Sequence, residues 1–274
     1  MPRSLRRFPG RLTVLGGVVA AIALAACRPV APPPPPGVAV GQGFDTCAAP
    51  SASTMAAWTG TSGYGSIGIY LGGQNRGCSQ QNLTASWVST VTHDGWRLAP
   101  LYVGLQAPCN AYLNFATMST DPTTAYNQGV AAADQAVSEA SGLGLGGGTP
   151  IYFDMEAYNC GGYGSTDTNA VMDFVNGWVL EIANRGYVSG YYSSAASGIA
   201  DQVTDVNNGG PWHWPNDIWF ADWNSVATTT NNPYIPNNYW VNQRLHQYMG
   251  GHNETHGGAT LDIDSDANGG QLAG

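Results

Sequence analysis

Between residues 41 and 264 the sequence alternates short apolar runs with segments of helical spacing. Runs such as IGIYLGG (67–73) and TPIYFDME (149–156) are rich in branched and aromatic residues, which predicts strands. The stretches 121–140 and 167–184 have helical periodicity, and Asp121-Pro122 is a typical helix start. The eight strand candidates are 41–45, 67–73, 96–104, 149–156, 186–193, 217–223, 243–248 and 260–264.

Eight strands, mostly separated by helices, predict an α/β fold: a single (β/α)8 TIM-type barrel over residues 41–274. Little helical sequence follows the sixth and seventh strands, so the helices are expected to be degenerate in the last third. No G-x-G-x-x-G pattern follows the first strand, which argues against a dinucleotide-binding sheet.

The amino terminus predicts export. Residues 1–11 contain four arginines, and the apolar run 12–26 has the length of a signal-peptide core, short for a membrane span. The run ends in Leu24-Ala25-Ala26-Cys27, which resembles a bacterial lipobox. The segment 1–27 is therefore interpreted as a lipoprotein-type signal peptide with Cys27 as the lipidated residue. An ordinary secretory signal with an incidental cysteine is the alternative, and both Sec and twin-arginine export stay open.

Residues 28–40 include five consecutive prolines and predict a proline-rich linker in a stiff polyproline conformation. Together with a lipid on Cys27, such a linker would hold the domain off a membrane. The protein is therefore predicted to be exported from the cytoplasm and either lipid-anchored to the outer face of the cytoplasmic membrane or held in the cell envelope.

Charge excludes one class of partner. The chain contains no lysine, and without residues 1–26 it has five arginines against 18 carboxylates, a formal charge of about −13. Few cations remain to neutralise phosphates, so nucleic acid is not an expected partner. The four cysteines after Cys27 are an even number in an exported chain, which predicts two disulfides with three possible connectivities.

Acidic residues recur where strand candidates end. In a barrel these ends meet at one face, which holds the active site, and strand residues i and i+2 point the same way. Like-charge repulsion and burial then raise the pKa of at least one carboxyl, as glycoside hydrolysis requires. The carboxylates at these ends are Asp45, Asp154, Glu156, Asp222, Asp262 and Asp264.

Aromatic and polar side chains near the same strand ends would receive sugar rings. DIDSDANG (262–269) has Ala267 where a calcium loop needs glycine and Ala273 where it needs glutamate, and His252-x-Glu254-x-His256 lacks the residue order of the H-E-x-x-H zinc motif. We therefore expect neither a metal nor another cofactor. The predicted substrate-binding residues are Asp222, Asp264, Tyr70, Tyr102, Tyr192, Trp223, Gln247 and Tyr248.

The ordered set GFDTCAAPS, IGIYLGG, PLYVG, PIYFDMEAY, GYVSGYYSS, IWFADWN, LHQY and LDIDSD resembles an actinobacterial glycoside-hydrolase-like family, a domain of unknown function similar to the family 25 lysozymes. The resemblance covers residues 41–268. It implies a (β/α)8-type barrel and a role on peptidoglycan, at N-acetylated sugars. It also leaves open whether hydrolysis occurs, because fold and carboxylates can persist in a binding protein.

The resemblance also implies roles for individual residues. Glu156 would be the general acid and Asp154 would assist it, while Asp45 and Asp262 would position and tune the pair. Asp262 best matches the aspartate of the last lysozyme strand, with Asp264 as the alternative. The barrel places the cysteines after neighbouring strands, which gives the pairs Cys47–Cys78 and Cys109–Cys160.

Three functions follow from these residues. The first is a cell-wall glycosidase of muramidase or lysozyme type, acting as a monomer on cell-wall polysaccharide. The second is a catalytically silent barrel that binds peptidoglycan or another envelope glycan. The third is a structural envelope lipoprotein whose acidic face binds a cation or a protein.

Overall fold

A computed structural model describes residues 41–110 and 114–274 of the chain. The predicted signal peptide, the lipidation at Cys27 and the linker 28–40 lie outside the described residues. Within the described ranges, no helix combines the length and apolar character needed to cross a membrane.

Eight strands and five helices follow one another within residues 41–110 and 114–274. The strands are β1 Gly41–Asp45, β2 Tyr64–Gly72, β3 Arg97–Tyr102, β4 Pro150–Asp154, β5 Val188–Ser194, β6 Asp217–Ala221, β7 Arg244–His256 and β8 Ala259–Gly269. The helices are α1 Ala52–Trp58, α2 Ala85–His93, α3 Pro122–Gly142, α4 Thr166–Asn184 and α5 Gly198–Asn208. In the described part of the chain each of the first five strands is followed by a helix and the last three are not, as predicted.

The strands form a closed barrel in the order β1 to β8. Strands β1 to β7 run parallel, which confirms the predicted (β/α)8 TIM-type architecture. Strand β8 runs antiparallel to both β7 and β1, which was not predicted from the sequence. The cause is the tight turn at Gly257-Gly258, because antiparallel strands can be joined directly while parallel ones need a crossover.

The turn between β7 and β8 requires glycine. Gly257 has a φ of +54°, and a Cβ atom on it would lie 2.1 Å from the carbonyl oxygen of Ala57 in α1. Because glycine has no side chain at this point, the hairpin can lie against α1. The hairpin is also longer than predicted, with paired residues from Arg244 to His256 and from Ala259 to Gly269.

Helices α3 and α4 pack so closely that the backbone of each contacts the backbone of the other at two glycines. A Cβ on Gly129 would lie 2.0 Å from the Phe174 carbonyl oxygen, and one on Gly177 would lie 2.2 Å from that of Tyr126. The start of α3 is fixed by the Asp121 carboxylate, which accepts a hydrogen bond from the Thr124 backbone amide. This helix pair covers the outside of the barrel next to β4, and the predicted general acid Glu156 follows that strand.

Two apolar layers surround the strands. The larger layer lies between barrel and helices and includes Phe153, Met155, Phe174 and Trp178. The smaller layer fills the barrel interior with Ala99, Leu101, Tyr152, Trp219, Leu245 and Leu272. Both layers and all eight strands lie within residues 41–274, so this segment contains the closed barrel together with its core.

The last residues close the barrel end opposite the strands' carboxyl ends. Leu272 belongs to the interior apolar layer, and Ala273 pairs with Leu98 of β3. The Gln271 backbone amide donates to Asp217 Oδ1 at 2.9 Å, while Asp217 Oδ2 has no hydrogen-bond partner. Burial of Asp217 raises its pKa from 3.8 to about 7.

We expect Asp217→Asn to remove a pH-dependent loss of stability. Because the folded state holds the proton up to about pH 7, the wild type loses stability as the pH rises from about 4 to 7. The variant should match the wild type near pH 4 and exceed it by on the order of 4 kcal/mol above pH 8. Urea unfolding of both proteins at the two pH values measures this, and an equal difference at both would contradict it.

Candidate active site

Four of the predicted carboxylates meet at the barrel mouth formed by the carboxyl ends of the parallel strands. Asp45 ends β1, Asp154 ends β4, and Glu156 follows two residues later. Asp264 lies directly opposite Asp45 in the β1–β8 pairing, because β8 runs back past the mouth. The acid cluster defined by Asp45, Asp154, Glu156 and Asp264 is therefore assembled from three strands.

Gln247 of β7 connects this acid cluster to two aromatic side chains. Its Nε2 donates to Asp45 Oδ2 at 2.8 Å and to Asp264 Oδ2 at 3.3 Å. Its Oε1 accepts from the Tyr192 hydroxyl at 2.9 Å and from Trp223 Nε1 at 3.0 Å. Both amide protons and both lone pairs are used, and the side chain is 3% exposed. The side chain of Gln247, which was predicted to bind substrate, makes these four hydrogen bonds within the protein.

Gln106, which was not predicted from the sequence, fixes the segment that carries Asp154 and Glu156. Gln106 is completely buried; its Nε2 donates to the Asp154 carbonyl oxygen at 2.8 Å, and its Oε1 accepts from the Glu156 backbone amide at 2.7 Å. Met155 points away into the helix-facing layer, as the strand alternation predicts. Both carboxyl groups therefore project from a backbone that is held on two sides.

We expect Gln106→Leu to lower the free energy of unfolding by about 2–4 kcal/mol, because it leaves the Asp154 carbonyl and the Glu156 amide buried without partners. Gln135→Leu is the matched control, since Gln135 accepts one hydrogen bond from Tyr102 on the helix side of the barrel. Urea denaturation of both variants measures the difference. Equal losses in the two would show that Gln106 has no special role.

Burial and mutual repulsion raise the pKa of every member of the acid cluster. Burial, followed by the charge of Asp264, raises the pKa of Asp45 to about 7, although Tyr70 and Gln247 donate hydrogen bonds that oppose the shift. Burial and then Glu156 hold the pKa of Asp154 well above its usual range. For Glu156, burial and then Asp264 raise the pKa. The cluster therefore keeps protons at a pH where exposed carboxyls are ionised.

Asp266 is a further buried carboxyl beside the acid cluster, and it was not selected from the sequence. It is 2% exposed inside the barrel, and Trp219 Nε1 donates to its Oδ1 at 3.0 Å. Burial and then the charge of Asp45 hold its pKa well above the usual range. The period of two in β8 that selected Asp264 continues to Asp266, so this signal was present in the sequence.

Two aromatic residues that were predicted to bind substrate border the acid cluster: Tyr70 of β2, next to β1, and Tyr192 of β5, next to β4. The Tyr70 hydroxyl donates to Asp45 Oδ1 at 2.8 Å, and the Tyr192 ring lies 5.6 Å from that of Trp219 between centroids. Trp223 is held through its Nε1 by Gln247 but leaves 66% of its surface exposed. An indole that is fixed at one edge and open on its face is suited to stacking against a ligand.

Four of the predicted site residues have side chains that lie outside the acid cluster. Asp262 is exposed and pairs with Asn253 in the outer part of the β7–β8 hairpin, because reversal of β8 brings Asp264 to the mouth in its place. Asp262 influences the cluster only by raising the pKa of Asp264. Asp222 does follow β6, but its Oδ2 accepts from Asn224 at 2.9 Å and from Asn232 at 2.8 Å, within the next loop.

The other two are tyrosines that point away from the cluster. Tyr102 stacks on Trp178 of α4 at 6.1 Å between centroids and donates to Gln135 of α3, so it belongs to the helix-facing layer. The Tyr248 hydroxyl donates to Gln42 Oε1 at 2.8 Å, and its ring lies against His246. Proximity to a strand end selected both residues, but the alternation of side chains decides which face they occupy.

Two disulfides tie the loops at this end of the barrel. Cys47 is bonded to Cys78, and Cys109 is bonded to Cys160, which confirms the predicted pairing. Each bond joins loops that follow neighbouring strands, β1 with β2 and β3 with β4. Such bonds persist in oxidising compartments, which agrees with an exported protein.

The family model of the Rv2525c-like, glycoside hydrolase-like domain matches residues 56–268. The chain belongs to this family. The match begins after Asp45 and includes the remaining members of the acid cluster. No curated protein gives a significant sequence match.

Solved structures share the fold at low sequence identity. The Tat-secreted protein Rv2525c of Mycobacterium tuberculosis is 15% identical with a TM-score of 0.52, over 84% of this chain and 96% of that one. The modular autolysin LytC of Streptococcus pneumoniae is 15% identical with a TM-score of 0.53, over 84% of this chain and 46% of LytC. The spore cortex lytic enzyme SleM of Clostridium perfringens is 15% identical with a TM-score of 0.50, over 84% and 67%. The fold of this family member is therefore related to that of cell-wall lytic enzymes.

Proposed function

We propose that this protein is an exported glycoside hydrolase of lysozyme type that cleaves cell-wall glycan, with Glu156 as the general acid. The observation that carries the proposal is the Asp154–Glu156 pair at the barrel mouth, whose backbone Gln106 holds by two hydrogen bonds. Glycoside hydrolysis needs a carboxyl that keeps its proton beside another carboxyl group. The similarity to a pneumococcal autolysin and a spore cortex lytic enzyme supports a wall polysaccharide as substrate.

The electrostatics support this assignment of roles. Burial and Asp264 raise the pKa of Glu156, so its carboxyl can hold the proton that the glycosidic oxygen receives. Asp154 lies two residues earlier and would orient the sugar or stabilise positive charge that develops on it. Asp264, fixed by Gln247, would keep the proton on Glu156 through its negative potential, and Asp45 accepts a hydrogen bond from the same amide group. The activity should therefore fall as the pH rises and Glu156 ionises.

Lipid anchoring is part of the proposal. A lipid on Cys27 followed by the proline linker 28–40 would tether the barrel near the membrane while its mouth contacts the wall. Mass spectrometry of the protein extracted from membranes tests this. A diacylated Cys27 at the amino terminus is the expected result, and an unmodified terminus beyond Cys27 would contradict it.

The test of the proposed activity uses residues 41–274 and purified, insoluble cell walls. One readout is the fraction of protein that sediments with the walls, and the other is the glycan that enters solution. We expect both binding and time-dependent release. Binding without release would favour the silent glycan-binding barrel, and the absence of both would overturn a role on this polymer.

A further inference from the structure

The loop between β6 and β7, residues 222–243, stands where a (β/α)8 barrel usually has a helix. A helix satisfies most of its own carbonyl groups, whereas an irregular segment needs donors from elsewhere. Two buried side chains of β7, Arg244 and His246, contact carbonyl oxygens of this loop. Arg244 donates to the carbonyl oxygens of Thr229, Pro236 and Tyr239. The side chains of β7 therefore hold the loop that replaces the helix.

Both ring nitrogens of His246 face backbone carbonyl oxygens of the loop. Nδ1 lies 2.6 Å from the Thr228 oxygen, and Nε2 lies 2.9 Å from the Asp222 oxygen. A carbonyl oxygen only accepts, so each contact needs an N–H group on the ring, and a neutral imidazole carries one. Two such contacts require the doubly protonated, cationic ring. The side chain is 1% exposed and stacks on Phe220 at 4.3 Å between ring centroids, so it is shielded from solvent.

The elements around this ring carry titratable groups of both charge types. Asp222 lies in the loop, Arg244 lies two residues earlier on β7, and the Tyr248 ring lies 6.1 Å away between centroids. Strand β6 contributes the apolar Phe220, and β8 places Ala267 opposite. The negative charge of Asp222 favours the cationic ring and that of Arg244 opposes it. The two carbonyl oxygens bind the charged form directly, which also favours it.

The contact with Asp222 holds the residue that precedes the exposed indole at the mouth. The Asp222 carbonyl belongs to the peptide group that leads into Trp223. The indole of Trp223 donates to Gln247 through Nε1, and a Cβ on Gly250 would lie 2.5 Å from its Cζ2 atom. His246 therefore holds the backbone next to Trp223, while Gln247 and Gly250 hold its side chain.

We propose that His246 is a positioning residue that acts through Trp223. Its doubly protonated ring fixes the start of the loop, so that the indole stays in place to receive a sugar ring of the wall glycan. This inference rests on the proposed function, which supplies the glycan. It adds to that function a residue that lies outside the acid cluster and touches no substrate.

The geometry also gives the direction of the pH dependence. When the ring of His246 loses one proton, Nδ1 keeps the other, because its contact with Thr228 is the shorter of the two. The lone pair of Nε2 then faces the Asp222 oxygen, and the hydrogen bond beside Trp223 is lost. The folded state favours the protonated ring, so the hold on Trp223 is present at low pH and is lost as the pH rises.

The experiment follows His246 and Trp223 by 15N NMR of residues 41–274 between about pH 5 and pH 8, the range in which histidine titrates. The signals are assigned with His246→Phe and Trp223→Phe. We expect protons on both ring nitrogens of His246 at the acidic end. As the pH rises, Nε2 should lose its proton, and the indole signal of Trp223 should shift with the same midpoint.

Asp45 is a second titrating group that reaches Trp223, since Gln247 contacts both and the pKa of Asp45 is about 7. His246→Phe separates the two sources, because phenylalanine can stack on Phe220 but has no N–H group. We expect this variant to lose the pH-dependent shift of the Trp223 signal. Its binding to insoluble walls at about pH 5 should fall about threefold, the effect of one lost hydrogen bond.

The matched control is His213→Phe. His213 is half-buried, and its Nδ1 lies 2.9 Å from Asn176 Oδ1 of α4, outside the loop between β6 and β7. This variant should keep the Trp223 shift and bind walls within twofold of the wild type. If His246→Phe does not fold, His246→Gln, which retains an amide donor, takes its place in both measurements.

Three results would overturn the inference and leave the proposed function standing. The first is a proton on only one nitrogen of His246 at about pH 5. The second is a Trp223 shift that persists in the folded His246 variant, which would assign the shift to Asp45. The third is unchanged wall binding in that variant. If the wild type bound no walls at any pH, the proposed function would fail, and the two NMR signals would still test whether His246 holds Trp223.

Discussion

Glu156→Gln should lower the rate of glycan hydrolysis at least 10³-fold, because the amide cannot donate a proton to the glycosidic oxygen. The backbone amide of residue 156 keeps its hydrogen bond to Gln106, so the segment should retain its position. Binding to insoluble walls should change less than twofold. The measurement is the initial rate of reducing-end formation beside a sedimentation assay with the same protein.

The matched control for this variant is Glu139→Gln. Glu139 is an exposed glutamate of α3, outside the acid cluster, and the substitution makes the same change in charge and shape. Full activity in Glu139→Gln together with loss in Glu156→Gln would assign the effect to the mouth. Hydrolysis by Glu156→Gln at the wild-type rate would contradict the role of Glu156.

Removal of the Cys109–Cys160 disulfide should lower the free energy of unfolding by about 4 kcal/mol. The bond closes a loop of 51 residues, and a longer loop gives the unfolded chain more freedom when it is opened. The bonded cysteines also flank the bridge between Asn110 and Tyr158, which joins the loop after β3 to the segment that follows Glu156. Chemical denaturation of the double variant Cys109→Ser, Cys160→Ser measures the loss.

The other disulfide provides the comparison. Cys47–Cys78 closes a loop of 31 residues, so its removal should cost a few tenths of a kcal/mol less. A loss below about 1 kcal/mol for Cys109–Cys160 would show that the loops after β3 and β4 are held by other contacts. A drop in wall hydrolysis that exceeds the loss of folded protein would show that this bond also orders the active-site loops.

Much of the fold could be predicted because local signals agreed with it. The run that ends at Asp45 matches β1, and the Asp121-Pro122 start matches α3. The disulfide pairs followed from the order of strands around a barrel. These features depend on residues near each other in the sequence or on strand order alone, and both can be read without coordinates.

The rest depended on contacts that no local pattern contains. A parallel eighth strand was assumed, but Gly257-Gly258 forms a hairpin that reverses β8. The reversal placed Asp264 rather than Asp262 at the mouth. Gln106 lies in the loop after β3 and meets Asp154 and Glu156 across 48 and 50 residues, so nothing in its own sequence neighbourhood marked it.

The most direct test of glycan hydrolysis by Glu156 is the identity of the sugar at new reducing ends in digested walls. Insoluble walls are incubated with residues 41–274 or with Glu156→Gln, reduced with borohydride and hydrolysed, and the sugar alcohols are quantified. We expect new muramic acid alcohols with the wild type and none above background with the variant. No new reducing ends with either protein, while both still sediment with the walls, would contradict hydrolysis and leave a glycan-binding barrel.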